Sequence, residues 1–146
     1  MPGTALSLAL RFVEEAWNQG RLEVIREIAT VPYRARSLNA GTPPLPPQDH
    51  AAIAGHVEDF RRAFSDLALR VEDTIDGGDR AYVQTRLTGT HDGPFMGAPP
   101  TGARVDMVLC GVYEAEDGRL TGHTALVDMQ AMFSQLGLPP LPPGKP

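Results

Sequence analysis

The sequence predicts a single α+β domain in which helices come first and an antiparallel sheet follows. Before residue 65, apolar side chains recur at helical spacing, and from Leu67 onward the hydrophobic period falls to two. Short turns rich in glycine separate the alternating segments, as in a sheet built from hairpins. With 146 residues and 42% hydrophobic content, the chain is long enough to bury a core of its own.

Three helices are predicted ahead of the sheet. The first covers Thr4–Gln19, where a threonine caps the start and Gly20 ends the helix. The second covers Arg21–Ala29. Four prolines in Ser37–Gln48 predict a loop. The third helix covers Gln48–Phe64, whose apolar residues form one stripe.

Four antiparallel strands are predicted next. The first begins at Leu67, and the other three cover Arg80–Thr88, Arg104–Glu116 and Leu120–Val127. Glycines in Asp76-Gly-Gly-Asp79 and in Glu116-Asp-Gly118 supply the positive φ angles that tight turns require.

A short helix over Met129–Leu136 ends the predicted domain, which spans residues 1–137. Residues 138–146 contain five prolines and are expected to form a loose C-terminal tail.

Composition excludes several classes of function. The net charge is −5 and no run of Lys or Arg occurs, so nucleic-acid binding is not expected. The one cysteine, Cys110, excludes an internal disulfide and a cysteine zinc site, and its strand pattern predicts a small buried residue. His50 and His56 are six residues apart and do not share a helix face, so no metal site is predicted. With no signal peptide and no apolar run of about 20 residues, the sequence predicts a cytoplasmic protein outside the membrane.

A pocket is expected at one end of the sheet. A curved sheet covered by helices forms a cone, whose open end suits a small molecule. The loops Ser37–Gln48 and Gly89–Gly102 would form its rim. Long irregular loops inside a compact domain are usually functional, and the second of these carries His91.

Several segments, taken in order, match a known family pattern. They are Phe12-Val-Glu-Glu-Ala-Trp-Asn-Gln-Gly20, Arg61-Arg-Ala-Phe-Ser-Asp-Leu67 with Val71-Glu-Asp, Gly77-Gly-Asp-Arg80, Gly89-Thr-His with Phe95-Met-Gly and Pro99-Pro-Thr-Gly102, and Glu116-Asp-Gly-Arg-Leu120 with Asp128 through Gln135-Leu-Gly137. Through them the chain resembles the SnoaL-like polyketide cyclase family of the nuclear transport factor 2-like (NTF2-like) superfamily.

The resemblance implies an NTF2-like cone-shaped α+β barrel and a homodimer or larger homo-oligomer. It also implies chemistry on polyketide intermediates without a metal or organic cofactor. In cyclase members an aspartate on the last strand acts as acid and base for an intramolecular aldol closure, and the matching residue is Asp128. The family's tryptophan four residues earlier is replaced by Thr124, which is expected to change the pocket wall. The segment Val31–Arg36 lacks the His-Asp pair that relatives often carry there.

The candidate catalytic residues each have two interpretations. Asp128 precedes a predicted helix, so it is a helix cap, a pocket carboxylate, or both. His91 is either a structural or solvated residue or a proton-transfer group that assists Asp128. Strand alternation places His123 on the face opposite Thr124 and Asp128, where a surface or interface role is expected.

The candidate substrate-binding residues come from several elements. Tyr33 and Arg36 are expected at the pocket rim, whereas Trp17 is expected in the core. Tyr82 and Arg86 either reach substrate oxygens or lie on a solvated or interface face. The cavity wall is expected to include Phe60, Phe64, Met107 and Thr124.

The predicted function is therefore a cofactor-independent cyclase that closes a ring in a polyketide-derived intermediate. Three alternatives remain: a hydroxylase-type relative of anthracycline-like pathways, a non-catalytic binding module and, as a weaker option, an epoxide-opening enzyme. Fold membership alone does not decide among them.

Overall fold

A computed structural model describes residues 3–139 of the chain, so the last seven residues of the predicted tail lie outside it. The helices are α1 (Ala5–Arg11, with a π-helical continuation over Phe12–Asn18), α2 (Val24–Ile28), α3 (His50–Ala63) and α4 (Met129–Leu136). The strands are β1 (Ala29–Ser37), β2 (Ala68–Asp76), β3 (Arg80–Thr90), β4 (Arg104–Glu116) and β5 (Arg119–Val127). No helix among residues 3–139 is long and apolar enough to cross a membrane.

The helix ends are set by ordinary capping chemistry. Thr4 caps α1, because its side chain accepts a hydrogen bond from Ser7 N at 3.2 Å. Asp49 caps α3 in the same way, through Ala52 N at 2.8 Å, so this helix starts at His50 rather than at Gln48. The predicted first helix is present, but its second half widens into π geometry.

The five strands form an open, curved sheet in the order β1-β5-β4-β3-β2. The pairs β2–β3, β3–β4 and β4–β5 are antiparallel, as the sequence predicts. The helices pack against one face of this sheet, which we call the inner face. The α+β prediction is therefore confirmed.

Strand β1 was missed by the sequence analysis, which divided its residues between a helix end and a loop. It pairs in parallel with β5, and Ala35 lies opposite His123. The strand contains Pro32 and two arginines, residue types that weaken a strand signal but are tolerated on an edge strand. The sheet is consequently mixed rather than wholly antiparallel.

Alternation along the strands separates the two sheet faces. In β3, Ala81, Val83, Thr85 and Leu87 are buried on the inner face. The intervening Tyr82, Gln84, Arg86 and Thr88 are only half-buried, and lie on what we call the outer face. Two hydrophobic clusters lie between the inner face and the helices, one around α2 and Phe12, the other around Phe64 and α4.

A glycine on β5 allows β1 to approach closely. A Cβ on Gly122 would overlap the carbonyl oxygen of Arg34, which is backbone and cannot move aside. We expect Gly122→Ala to lower the free energy of unfolding by on the order of 2 kcal/mol, since overpacking of this kind costs about 1–3 kcal/mol.

Urea unfolding would measure this change. Gly55→Ala is the matched control, because nothing lies within 4 Å of a Cβ at this position in α3. It should stabilise the protein by about 0.5–1 kcal/mol. Equal effects of the two substitutions would contradict the close approach of β1 and β5.

Candidate functional site

A cavity of about 690 Å³ lies between the inner face of the sheet and the helices. Every strand contributes to its wall, for example Ala35, Leu69, Val83, Leu109 and Ala125. The wall is mostly apolar, and the volume falls within the range of about 300–1,000 Å³ typical of small-molecule sites. The cavity can therefore enclose a ligand of several fused rings.

Aromatic side chains form the helical side of the cavity. Trp17 packs edge-on against His56 and Phe60, with ring centroids 5.8 Å and 5.6 Å away, and Phe60 lies 5.2 Å from Phe95. Arg61 of α3 fixes the end of the π-helical segment, since its Nη1 donates to the Trp17 carbonyl at 2.6 Å. This wall offers several ring edges and faces to an aromatic ligand.

Tyr33, Tyr113 and His123 form a polar cluster on the opposite wall, formed by β1, β4 and β5. Tyr33 Oη lies 2.6 Å from His123 Nδ1, and the Tyr113 and His123 ring centroids are 5.1 Å apart. Tyr113 and His123 are directly paired across β4 and β5. Two backbone hydrogen bonds of 2.8 Å between Tyr33 and Gln48 hold Tyr33 in place.

Burial determines how these groups titrate. It raises the pKa of Tyr33 well above its usual value and that of Tyr113 to about 12. Burial, followed by the nearby His56, lowers the pKa of His123 to about 4. His123 is therefore neutral at neutral pH.

Thr85 adds an unused polar group to the inner face. Its side chain is 2% exposed and borders the cavity, yet Oγ1 has no hydrogen-bond partner among the described residues. An unpaired buried hydroxyl costs stability, so a bound carbonyl that reached it would recover a hydrogen bond.

Two loops line the mouth of the cavity, as the sequence analysis expects. Asn39 ties the first loop to β5, accepting from Val127 N at 3.0 Å and donating to the Val127 carbonyl. In the second loop, Phe95 and Ala98 pair around a tight turn in which Met96 and Gly97 both have positive φ. Met96 is 62% exposed at this turn and borders the cavity.

His91 lies beneath the second loop and is fully buried. Its Nδ1 accepts from Thr101 N at 3.2 Å, and its ring packs against Phe64 and Phe95. Nε2 has no partner among residues 3–139. His91 is not among the residues that line the cavity, so its geometry is that of a loop anchor.

Asp128 caps α4 through a 3.0 Å hydrogen bond from Ala131 N to Oδ1. Its side chain is exposed and does not line the cavity. The structure thus shows the helix-cap interpretation directly, and the acid/base role of Asp128 remains a prediction.

The other predicted binding residues divide between the two sheet faces. Tyr33, Arg36, Phe60 and Met107 border the cavity, although Tyr33 and Arg36 belong to β1 rather than to a loop. Phe64 is fully buried behind the wall. Tyr82, Arg86 and Thr124 lie on the outer face. There the Tyr82 hydroxyl donates to Gln84, and Arg86 forms ion pairs with Glu72 and Asp106. Thr124 follows His123 on β5, so its side chain points to the other side of the sheet.

The sequence analysis missed Trp17, His56, Tyr113 and His123 as cavity residues. It placed the Thr124 row of β5 toward the pocket, whereas the row that contains His123, Ala125 and Val127 lines it. The sequence offers no local signal for the direction of β5, because neither of its two rows is clearly more apolar.

The cavity provides a direct binding test. Trp17 is the one tryptophan of the chain and borders the cavity, so an aromatic ligand should quench its fluorescence. We expect Ala125→Phe, which fills the cavity, to weaken binding of an anthraquinone probe at least tenfold. Leu126→Phe, on the outer face, is the control and should bind like wild type. Equal binding by both variants would place the ligand elsewhere.

Comparison with known proteins identifies the family. The model of the family "SnoaL-like polyketide cyclase" matches residues 7–136. The chain is 30% identical over 145 residues to the aklanonic acid methyl ester cyclase DnrD of Streptomyces peucetius, covering 97% of each protein.

Solved structures agree with this assignment. A protein from Jannaschia sp. CCS1, described as a SnoaL-like polyketide cyclase, superimposes with a TM-score of 0.80 at 28% identity, covering 93% of each chain. AclR of Streptomyces galilaeus, described as a hydroxylase, superimposes with a TM-score of 0.76 at 29% identity, covering 94% of this chain and 84% of AclR. The chain therefore belongs to the SnoaL-like polyketide cyclase family.

Proposed function

We propose that this protein is a cyclase that closes a ring in a polyketide-derived intermediate by an intramolecular aldol reaction, without a metal or organic cofactor. The observation that carries the proposal is the apolar cavity of about 690 Å³ with Tyr33, Tyr113 and His123 together on one wall. The similarity to DnrD, an aklanonic acid methyl ester cyclase, supports the same class of substrate.

The chemistry of an aldol closure fits this arrangement. A carbon between two carbonyl groups is acidic enough to lose a proton to a positioned side chain. The resulting enolate and alkoxide need hydrogen-bond donors, which phenols can supply in a cavity that excludes water. The aromatic wall of Trp17, His56, Phe60 and Phe95 suits the planar part of such a substrate.

The acid–base group is best sought among the cavity-lining side chains. The family resemblance assigns this role to Asp128, but Asp128 is exposed and its carboxylate is used as the cap of α4. A group that acts on an enclosed substrate must come within hydrogen-bond reach of the reacting carbon, which favours the residues of the inner wall.

Incubation with an anthraquinone β-keto ester such as aklanonic acid methyl ester tests the function. We expect a cyclic product of unchanged mass, formed equally well under argon and in the presence of a chelator. Chiral chromatography with mass spectrometry would detect it. Ala125→Phe should lower the rate at least tenfold, because the substrate no longer fits the cavity.

A hydroxylase activity is the second candidate, favoured by the similarity to AclR. It predicts oxygen uptake and a product one oxygen atom heavier. Saturable binding of the ester without any product would instead indicate a binding module. Either result would contradict the cyclase proposal.

We also propose that two copies associate through the outer face. Val108, Cys110 and Val112 of β4 lie there half-buried, Leu126 of β5 is 45% exposed, and the helices pack on the other side. The sequence predicts that Cys110 is buried, but in a single chain its side chain is only half-buried.

Light scattering coupled to size-exclusion chromatography tests this association. Wild type should have the mass of a dimer, and Val112→Arg should shift the mass toward that of one chain because it introduces an unpaired charge. A wild-type protein that elutes as a monomer at high concentration would contradict the proposal.

A further inference from the structure

We propose that His123 is the acid–base catalyst of the cavity and that Tyr33 positions it, with a carbon acid flanked by two carbonyl groups as the substrate. This inference rests on the proposed function, because it assigns the proton transfers of the same site. It differs from the family-based expectation, which gives that role to Asp128.

The two ring nitrogens of His123 have different surroundings. Nδ1 lies 2.6 Å from Tyr33 Oη. Nε2 has no hydrogen-bond partner among the described residues and is not wholly enclosed by them. Because Nδ1 is engaged with Tyr33 and His123 lines the cavity, we assign Nε2 as the nitrogen that meets the ligand.

Tyr33 and His123 are held rigidly by the strands that carry them. Ala35 and His123 are in register across the parallel β1–β5 pair, and Tyr33 lies one inward-facing position earlier on β1. The backbone of Tyr33 is fixed on its other side by Gln48. A hydrogen bond at the second nitrogen sets the tautomer and the ring orientation of a catalytic histidine. Catalysis by Nε2 requires the tautomer with hydrogen on Nδ1, which donates to Tyr33 Oη and leaves the lone pair on Nε2.

The proton transfers between His123 and the substrate balance. Nε2 takes the proton from the carbon between the two carbonyls, and the C–H electron pair becomes the enolate. The enolate carbon then bonds to the receiving ketone carbon, whose π electrons move onto oxygen to give an alkoxide. The imidazolium returns the proton from Nε2 to that alkoxide. The product is an isomer of the substrate, and no oxidant or reductant is needed.

The surroundings of His123 keep it in the required form. The titratable groups that face the pair are Tyr33 from β1, Tyr113 and Glu114 from β4 and His56 from α3. Burial and His56 hold the pKa of His123 down to about 4, so the ring is neutral over the physiological range. A base with a pKa of about 4.6 is sufficient in a known enzyme that forms an enolate from a ketone.

The other ionisable residues that border the cavity are less well placed. His56 makes ring-edge contacts with Trp17 and Phe60, but no hydrogen bond among the described residues fixes its tautomer. Asp59 and Arg62 of α3 and Arg36 of β1 are exposed. Cys110 lies near Tyr82, on the outer face.

Deuterium exchange tests the base separately from ring closure. The probe is an anthraquinone β-keto ester that lacks the receiving ketone, so it can lose its proton but cannot cyclise. In deuterium oxide, wild type should accelerate exchange at the carbon between the carbonyls. His123→Asn and His123→Gln should each lower kcat for exchange by about 10²–10⁴, with KM within a few-fold. The histidine control His50→Gln should exchange like wild type, because His50 bonds to the Ala29 carbonyl outside the cavity.

Tyr33→Phe tests the positioning role. It keeps the ring and removes the hydroxyl, so kcat should fall about tenfold with KM little changed. Nitrogen NMR of labelled histidine should show hydrogen on Nδ1 of His123 in wild type and a loss of that preference in Tyr33→Phe, a change that a purely structural role would not produce.

The outcomes separate the two proposals. Exchange without ring closure of the full ester would retain the His123 assignment and refute the cyclase. Ring closure that persists in both His123 variants would refute the His123 assignment and retain the cyclase. Loss of exchange in Asp128→Asn, with exchange retained in His123→Asn, would transfer the role to Asp128.

Discussion

The parallel pairing of β1 with β5 is the constraint on which the candidate site depends. It joins two segments ninety residues apart and brings Tyr33 Oη to His123 Nδ1. The close approach at Gly122 makes the pairing possible. Without β1, the wall that carries His123 would be an open sheet edge, and the histidine would be solvated rather than held neutral by burial.

The domain contains a cavity instead of a continuous core. Two hydrophobic clusters support the helices at either end of the sheet, and the space between them is left unfilled. Thr85 Oγ1 has no partner within residues 3–139, and an unpaired buried hydroxyl costs stability. Such local costs are commonly found where a protein is shaped for a ligand.

Much of the fold was predictable, because its residues show clear periods. In β3 the inward row is Ala81, Val83, Thr85 and Leu87, so hydrophobicity alone identifies its buried face. In β5 neither row is clearly more apolar, since His123 and Ala125 alternate with Thr124 and Leu126. The predicted alternation of side chains along β5 is therefore correct, but the row that was predicted to face the cavity lies on the outer face. For this reason the sequence places Asp128 rather than His123 at the candidate site. Strand β1 was missed because its partner is distant in sequence and no local pattern indicates a parallel edge pair.

The central claim is that the reacting molecule lies against the inner row of β5, beside His123. A crystal structure with a bound cyclised product, or with a stable analogue of the β-keto ester, tests it most directly. We expect the reacting carbon or its neighbouring oxygen to lie within about 3.5 Å of His123 Nε2, with the ring system against Trp17 and Phe60. A ligand bound beside Asp128 or on the outer face near Thr124, with the cavity left unchanged, would contradict it.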